Sequence, residues 1–277
     1  MGAELRNPRE SHTRPGGSVD ETDQTTGGAL EDIRVLEFAP ALAVPYCGTL
    51  MADMGADVVK IEPPRGDTYR LQRRTKVKNE GQEFAICNRG KRSLCLDLTD
   101  PDSGAVVEKL VAHADVVLVS FKASDLSRYG IDYDRVREFN PRVVYLENTP
   151  YGPKGPLGKD GGYDVVAMGL SGLSAILAGD DRDAPRFVRP AFADIVTGMM
   201  SALAVVTAIR HRDRTGVGQR VQTSLFHTAL GLISNMVFRY EELDGAHMDA
   251  FEEELRKIRA GGAGFAEQQQ AYRDHFG

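Results

Sequence analysis

From residue 31 onward the chain alternates short runs of β-branched and aliphatic residues with longer segments of helical period, and this alternation restricts the fold most. Ile33–Phe38, Asp57–Glu62, Ser93–Leu98, Asp115–Val119 and Val143–Glu147 read as strands. Pro45–Gly55 and Pro101–His113 read as helices between them, the first closed by Gly55, the second with proline in its first turn. Strand, helix, strand in repetition predicts a parallel sheet covered on both faces. Doubly buried strands are apolar throughout, and these five are rich in Val, Ile and Leu. The expected fold class is therefore α/β, with a Rossmann-like parallel sheet flanked by helices.

Beyond residue 160 the pattern becomes mostly helical. Asp164–Ala178, Ile195–Arg212 and Leu225–Glu242 read as helices, with a further strand over Gly218–Ser224. Residues 249–277 place opposite charges three and four apart, which suits an exposed helix, interrupted at Gly261-Gly262. Residues 1–30 hold no aromatic residue and no apolar core; they read as a disordered tail rather than a signal peptide. The expected organisation is that tail, a sheet domain over 31–215, and a strand and helical segment over 216–277 that leads into a missing or incomplete C-terminal small domain.

Composition removes several function classes. A net charge of −6 argues against a chain that wraps nucleic acid. The three cysteines, Cys47, Cys87 and Cys95, are odd in number and lack C-x-x-C spacing, which fits a reducing cytoplasmic setting rather than a disulfide framework. No two of the six histidines form an H-x-x-x-H pair, so no metal site is expected. The longest apolar stretch, Met199–Ile209, is short of the ~20 residues that a membrane helix needs.

Four features carry chemistry, each with a plain alternative. Ile33–Phe38 followed by a second strand ending at Glu62 imitates a dinucleotide-binding unit. The turn between strand and helix, Ala39-Pro40-Ala41-Leu42-Ala43-Val44-Pro45, has no glycine, which a pyrophosphate-binding turn requires, so NAD or FAD is not expected. Residues 60–92 are locally basic, with ten Lys and Arg (Lys60, Arg65, Arg70, Arg73, Arg74, Lys76, Lys78, Arg89, Lys91, Arg92) against four acids, which suits either a solvated loop or a phosphate-bearing ligand. Gly161-Gly162-Tyr163-Asp164 leads into a helix, with Asp164 either its N-cap or part of an anion site. Asp194 stands alone among apolar residues where the 195–212 helix begins. It is a cap or a nucleophile. Spacing alone favours the cap, but a carboxylate ionised at neutral pH needs no general base to attack a carbonyl.

Val35-Leu36-Glu37-Phe38 with Ala43 and Pro45, Asp53 through Pro63, Asn88-Arg89-Gly90-Lys91-Arg92-Ser93-Leu94 with Leu96-Asp97-Leu98, Ala114-Asp115-Val116, Asn140 through Tyr145, Tyr151-Gly152 with Gly155-Pro156, and Thr215-Gly216 with Gly218-Gln219 and Val221 follow one another in order. Together, over about residues 31–235, they resemble the class III CoA-transferases, the family that includes formyl-CoA and carnitine CoA-transferases and α-methylacyl-CoA racemase. The resemblance implies a transferase in which one aspartate, here Asp194, attacks an acyl-CoA thioester. A mixed anhydride forms, the thiolate returns to give an aspartyl-CoA thioester, and a carboxylic acid acceptor takes the CoA. Oxyanion stabilisation would come from backbone donors at the helix start. It further implies a CoA site at Leu42, Ala43, Leu96, Asp97, Leu98, Thr99, Ser120, Phe121, Arg128, Gly161, Gly162, Tyr163 and Asp164. No permanently bound cofactor is implied; coenzyme A enters as substrate. Partners are implied as an interlocked homodimer or a second subunit, with no nucleic acid and no membrane.

The chain departs from the family pattern in places. The racemase branch has histidine where Tyr163 stands, and a phenol with a pKa near 10 replaces imidazole poorly near neutrality. Leu42 occupies a position where transferases often carry glutamine, and Pro63 one where the family has arginine. Family members also carry a further C-terminal portion. The competing readings are a non-catalytic subunit or interaction protein of the same family and, less well supported, a racemase.

Overall fold

A computed structural model of the chain describes residues 27–72, 80–178 and 191–276. Their elements, in order, are β1 (Arg34–Phe38), α1 (Ala43–Asp53), β2 (Asp57–Glu62), a 3₁₀ turn (Thr68–Leu71), α2 (Gln82–Asn88), β3 (Arg92–Cys95), α3 (Ser103–Ala112), β4 (Val116–Val119), α4 (Ala123–Arg128), α5 (Tyr133–Phe139) and β5 (Val144–Thr149). They continue as α6 (Asp164–Ser171), α7 (Leu173–Ala178), α8 (Phe192–Thr215), β6 (Gln219–Ser224), α9 (Leu225–Leu232), α10 (Ser234–Val237), α11 (Glu241–Ala260) and α12 (Phe265–Phe276).

The six strands form one sheet in the order β3-β2-β1-β4-β5-β6, every pairing parallel. Alternate side chains build a core on each face, as the two-residue period of a strand demands. Val35, Val58, Val116, Leu118, Val144 and Leu146 meet α1 and α8 through Val44, Met51, Ala202, Val205 and Ile209. Leu36, Ile61, Val117, Val119 and Tyr145 meet the α3–α5 side through Val107, Val111, Ile131 and Val136. Full burial of each such side chain contributes roughly 1.5–3 kcal/mol, so packing rather than capping holds these layers together. The strand order reverses between β1 and β4, and in sheets of this kind a crevice opens there, beyond the carboxyl ends of the strands.

The expected parallel sheet is present, with altered borders. The third strand stops at Cys95 rather than Leu98, although Leu96 N–H still donates to Glu62 O at 2.8 Å. The helix expected over Asp164–Ala178 breaks at Gly172, whose φ of +85° suits glycine alone. The Leu225–Glu242 segment divides into α9, α10 and the start of α11. Helices α2, α4 and α5, of six or seven residues, are too short to show a clear period in the sequence.

Most of the expected N-terminal tail lies outside the described residues, but its last residues are not a tail. Leu30 is buried in the core and its N–H donates to Met54 O at 2.9 Å. At the other border, β6 completes the sheet beside β5, so a division at residue 215 falls between two elements that pack on the same sheet.

Helix α8 is longer than its expected span and, at 24 residues, long and apolar enough by composition to cross a bilayer. Here one side packs on α1 and on the sheet, and its Arg212 reaches Asp115, just before β4, at 3.1 Å. It runs from the carboxyl edge of the sheet to the amino edge and carries Asp194 in its first turn.

Candidate active site

Asp194 does not cap its own helix. Ala191 holds the N-cap position of α8 without a side-chain cap, and Asp194 lies three residues further on. The cap comes from another helix. Asp164, the first residue of α6, accepts the Asp194 N–H at 2.9 Å through Oδ1 and also accepts the Ala193 N–H. Asp164 therefore does not cap α6 as its sequence position suggests; Tyr163 occupies that N-cap place. One carboxylate thus joins the start of α6 to the start of α8 across thirty residues of sequence.

The two carboxylates stand close together in a poorly hydrated place. Burial first, and the neighbouring Asp164 charge second, push the Asp194 carboxyl up from 3.8 to about 7. Burial also raises Asp164, although the two backbone donors favour its ionised form. Asp194 is therefore not simply ionised at neutral pH, as an exposed aspartate would be; its titration falls near neutrality. The α8 start offers fewer free donors than a helix start usually does. Its Ala193 and Asp194 N–H groups serve Asp164, and the Ile195 N–H donates to Ala191 O at 3.0 Å.

Helix α1 forms the adjoining wall. A side chain at Gly198 would lie 2.7 Å from Ala43 O and 2.9 Å from the Tyr46 ring, so glycine lets α8 close onto the first turn of α1. Ala43, Ala167 of α6 and Ala193 of α8 share one small buried cluster. Leu42 is the α1 N-cap residue, after Ala41, which holds a left-handed φ of 67°. The turn after β1 is thereby brought to the Asp164–Asp194 pair.

The glycine pair lies against the turn after β4. A side chain at Gly161 would meet the Lys122 side chain at 2.9 Å, and one at Gly162 would overlap the Tyr151 hydroxyl. Ser120 N–H donates to Phe38 O at 3.3 Å, which ties that turn to the end of β1. Phe121 packs edge-on to Tyr129, and the guanidinium of exposed Arg128 lies over the same Tyr129 ring. Ala43, Asp164 and Asp194 thus meet where α1, α6 and α8 begin, and Gly161 and Gly162, which run into Asp164, lie against Lys122 and Tyr151. Tyr163 is 76% exposed and turns its ring outward. Leu96, Asp97, Leu98 and Thr99 follow the end of the outermost strand. Leu96 and Leu98 pack on the core there, and Asp97 accepts from the Thr99 N–H and hydroxyl.

Three residues of this region carry no signal in the sequence. Lys122 is one. Tyr69 and Cys87 are the others: burial, then the Asp194 charge, raises the Tyr69 phenol to about 12. Burial foremost, with Asp194 adding to it, raises the Cys87 thiol to about 11. Both therefore stay protonated near the carboxylate.

Among the described residues of the basic 60–92 segment, most of the cations are already paired within the protein. Lys60 and Lys91 are buried on Glu37, Arg70 pairs with Glu62, Arg89 with Asp53 and Arg92 with Asp57. Arg65 is exposed, and Arg73, Arg74, Lys76 and Lys78 fall outside the described residues. Glu62 cannot serve a ribose either. Burial alone would raise its carboxyl, but bonds from Arg70, Ser93 and the Asp67 N–H hold it down to about 2, so all its acceptor capacity is spent inside the protein.

Among the described residues no group of three His, Cys, Asp or Glu side chains is placed to hold a metal ion. Two apolar surface hollows, of about 330 and 300 Å³, lie away from Asp194. One is at the amino ends of β1–β3, around Arg34, Asp57 and Arg92, and the other is between α8 and β6.

Comparison with known proteins gives the family. The model of CoA-transferase family III matches residues 30–261. The chain is 38% identical over 218 residues to the succinate–glutarate CoA-transferase of Agrobacterium fabrum, covering 76% of this chain and 54% of that protein. It is 39% identical over 224 residues to the succinyl-CoA:mesaconate CoA-transferase of Haloarcula hispanica, covering 77% and 56%. The crystal structure of a CAIB/BAIF family protein from Brucella suis superposes with a TM-score of 0.72 at 37% identity, over 76% of this chain and 56% of that one. The chain thus spans about half the length of the relatives it matches. With its parallel sheet, its motif order and a family match over most of its length, the chain belongs to CoA-transferase family III.

Proposed function

We propose that the protein carrying this chain moves CoA between an acyl-CoA and a carboxylic acid, with Asp194 as the nucleophile. The observation that carries this reading is the Asp164–Asp194 pair at the meeting point of α1, α6 and α8, with a carboxyl raised to about 7. Asp194 is held in place by its own backbone, so its side chain is left for chemistry. On this route an ionised Asp194 oxygen bonds to the thioester carbonyl carbon, the C–S bond breaks and CoA leaves as thiolate. The thiolate then attacks the aspartyl carbonyl of the anhydride, releasing the donor acid and forming an aspartyl-CoA thioester. The acceptor carboxylate takes over by the same two exchanges in reverse, which restores Asp194.

Leu42, Ala43, Ser120, Phe121, Arg128, Gly161 and Gly162 would line the CoA path, and Lys122 adds a cation beside Gly161. The names of the relatives support a dicarboxylic donor and acceptor, so succinyl-CoA with glutarate is the first pair to assay. Mass spectrometry of the intact protein after incubation with succinyl-CoA is expected to show an adduct on Asp194. Its persistence in Asp194→Ala, or full turnover by that variant, would overturn the assignment.

A further inference from the structure

A buried charge network lies behind the turn after β1. Glu37 of β1 is fully buried and accepts from two lysines, Lys60 through Oε1 at 2.9 Å and Lys91 through Oε2 at 2.7 Å. Lys60 also donates to Ala39 O at 2.6 Å and faces Asp67 Oδ2 at 3.0 Å. Lys91 also donates to Pro45 O at 2.7 Å and Cys87 O at 2.8 Å, with Asn88 Oδ1 at 3.1 Å. Two anions and two cations balance, so no net charge is buried. A side chain at Gly48 would overlap Glu37 Oε2, so α1 is shaped to admit the network.

The network is costly to desolvate, and apolar residues of the same volume would hold the sheet as well or better. What it supplies is position. The two lysines seize the backbone at both ends of one turn: Ala39 O just after β1, and Pro45 O in the first turn of α1. That first turn in turn contacts α8 at Gly198, one helical turn beyond Asp194. We propose that Glu37, Lys60 and Lys91 are positioning residues that set the 39–45 turn against the start of α8. On the transferase reading, on which this inference rests, they thereby hold the wall against which acyl-CoA binds beside Asp194.

The test is the charge-balanced pair Glu37→Gln/Lys91→Met, which removes the Pro45 anchor and leaves the Lys60–Asp67 pair intact. Lys91→Met alone serves as the control that leaves one buried negative charge in excess, with Glu37 and Asp67 then sharing Lys60. In the double variant, amide hydrogen exchange is expected to speed up at least about tenfold over residues 39–47 and 191–198, with β4 and β5 unchanged. The KM for succinyl-CoA is expected to rise about tenfold. A purely structural role would lower kcat with the active fraction and leave KM alone. Unchanged exchange in both segments, or wild-type KM with a lower kcat, would overturn the positioning role. The exchange measurement decides this even if the wild-type protein proves inactive toward succinyl-CoA, a result that would count against the transferase reading instead.

Discussion

Replacing Asp194 by asparagine separates its charge from its shape. The native carboxyl titrates near 7, against 3.8 for an unperturbed aspartate. Each tenfold change in acidity is worth about 1.4 kcal/mol, so the ionised form costs the native state up to about 4 kcal/mol, and residual hydration reduces this to roughly 2–4 kcal/mol. Between about pH 4 and 7 the native protein keeps a proton that the unfolded chain releases. Native stability therefore falls as pH rises through that window and levels off above about 7. The uncharged amide of Asp194→Asn would carry no such penalty. Urea unfolding of wild type and variant at about pH 4, 6 and 8 is expected to show equal stability at the lowest pH. At the highest, the variant is expected to be more stable by roughly 2–4 kcal/mol. In the same samples, transfer by the wild type should rise with pH through about 7 as the carboxylate forms, while the variant should be inactive throughout. A stability difference that is the same at all three pH values would refute the burial and repulsion argument.

Four further outcomes follow from the geometry. Asp164→Asn keeps an oxygen for the Asp194 and Ala193 N–H groups but removes the repelling charge, so the pH midpoint of activity should move to lower pH with little loss of stability. Asp164→Ala also loses the cap and should cost about 1 kcal/mol in unfolding experiments. Gly198→Val must push Ala43 and Tyr46 away from α8, and should lower stability by roughly 1–3 kcal/mol and activity along with it, measured by melting and turnover. Lys122→Ala, at an exposed residue beside Gly161, should raise the KM for acyl-CoA several-fold with kcat unchanged, and should flatten its dependence on salt.

The parallel sheet was legible because doubly buried strands must be apolar along their whole length, as Val116–Val119 is. The position of Asp194 in a helix start was legible as well, because apolar and small residues follow it without a charge until Arg210. Its true partner was not. The cap from Asp164 is a tertiary contact between two helices, and no local pattern encodes it. Lys60 misled for a related reason. A lysine in a strand reads as solvated, and only the register that sets Lys60 beside Glu37 shows that both point into the protein. Tyr69 and Cys87 approach Asp194 only after α2 and the 3₁₀ turn fold back toward α8, and those short elements carry little periodic signal.

Helices α1, α6 and α8 all begin at the corner that holds Asp194. Each start presents the positive end of a helix dipole, a fixed field that offsets part of the cost of holding an anion there. On the proposed route, acyl transfer makes Asp194 neutral at the moment CoA sulfur becomes anionic. One negative charge then moves a short way within the same field, and none is created or newly buried. The three helix starts would serve carboxylate and thiolate in turn, which makes the exchange between them close to balanced and leaves its direction to the acids being exchanged.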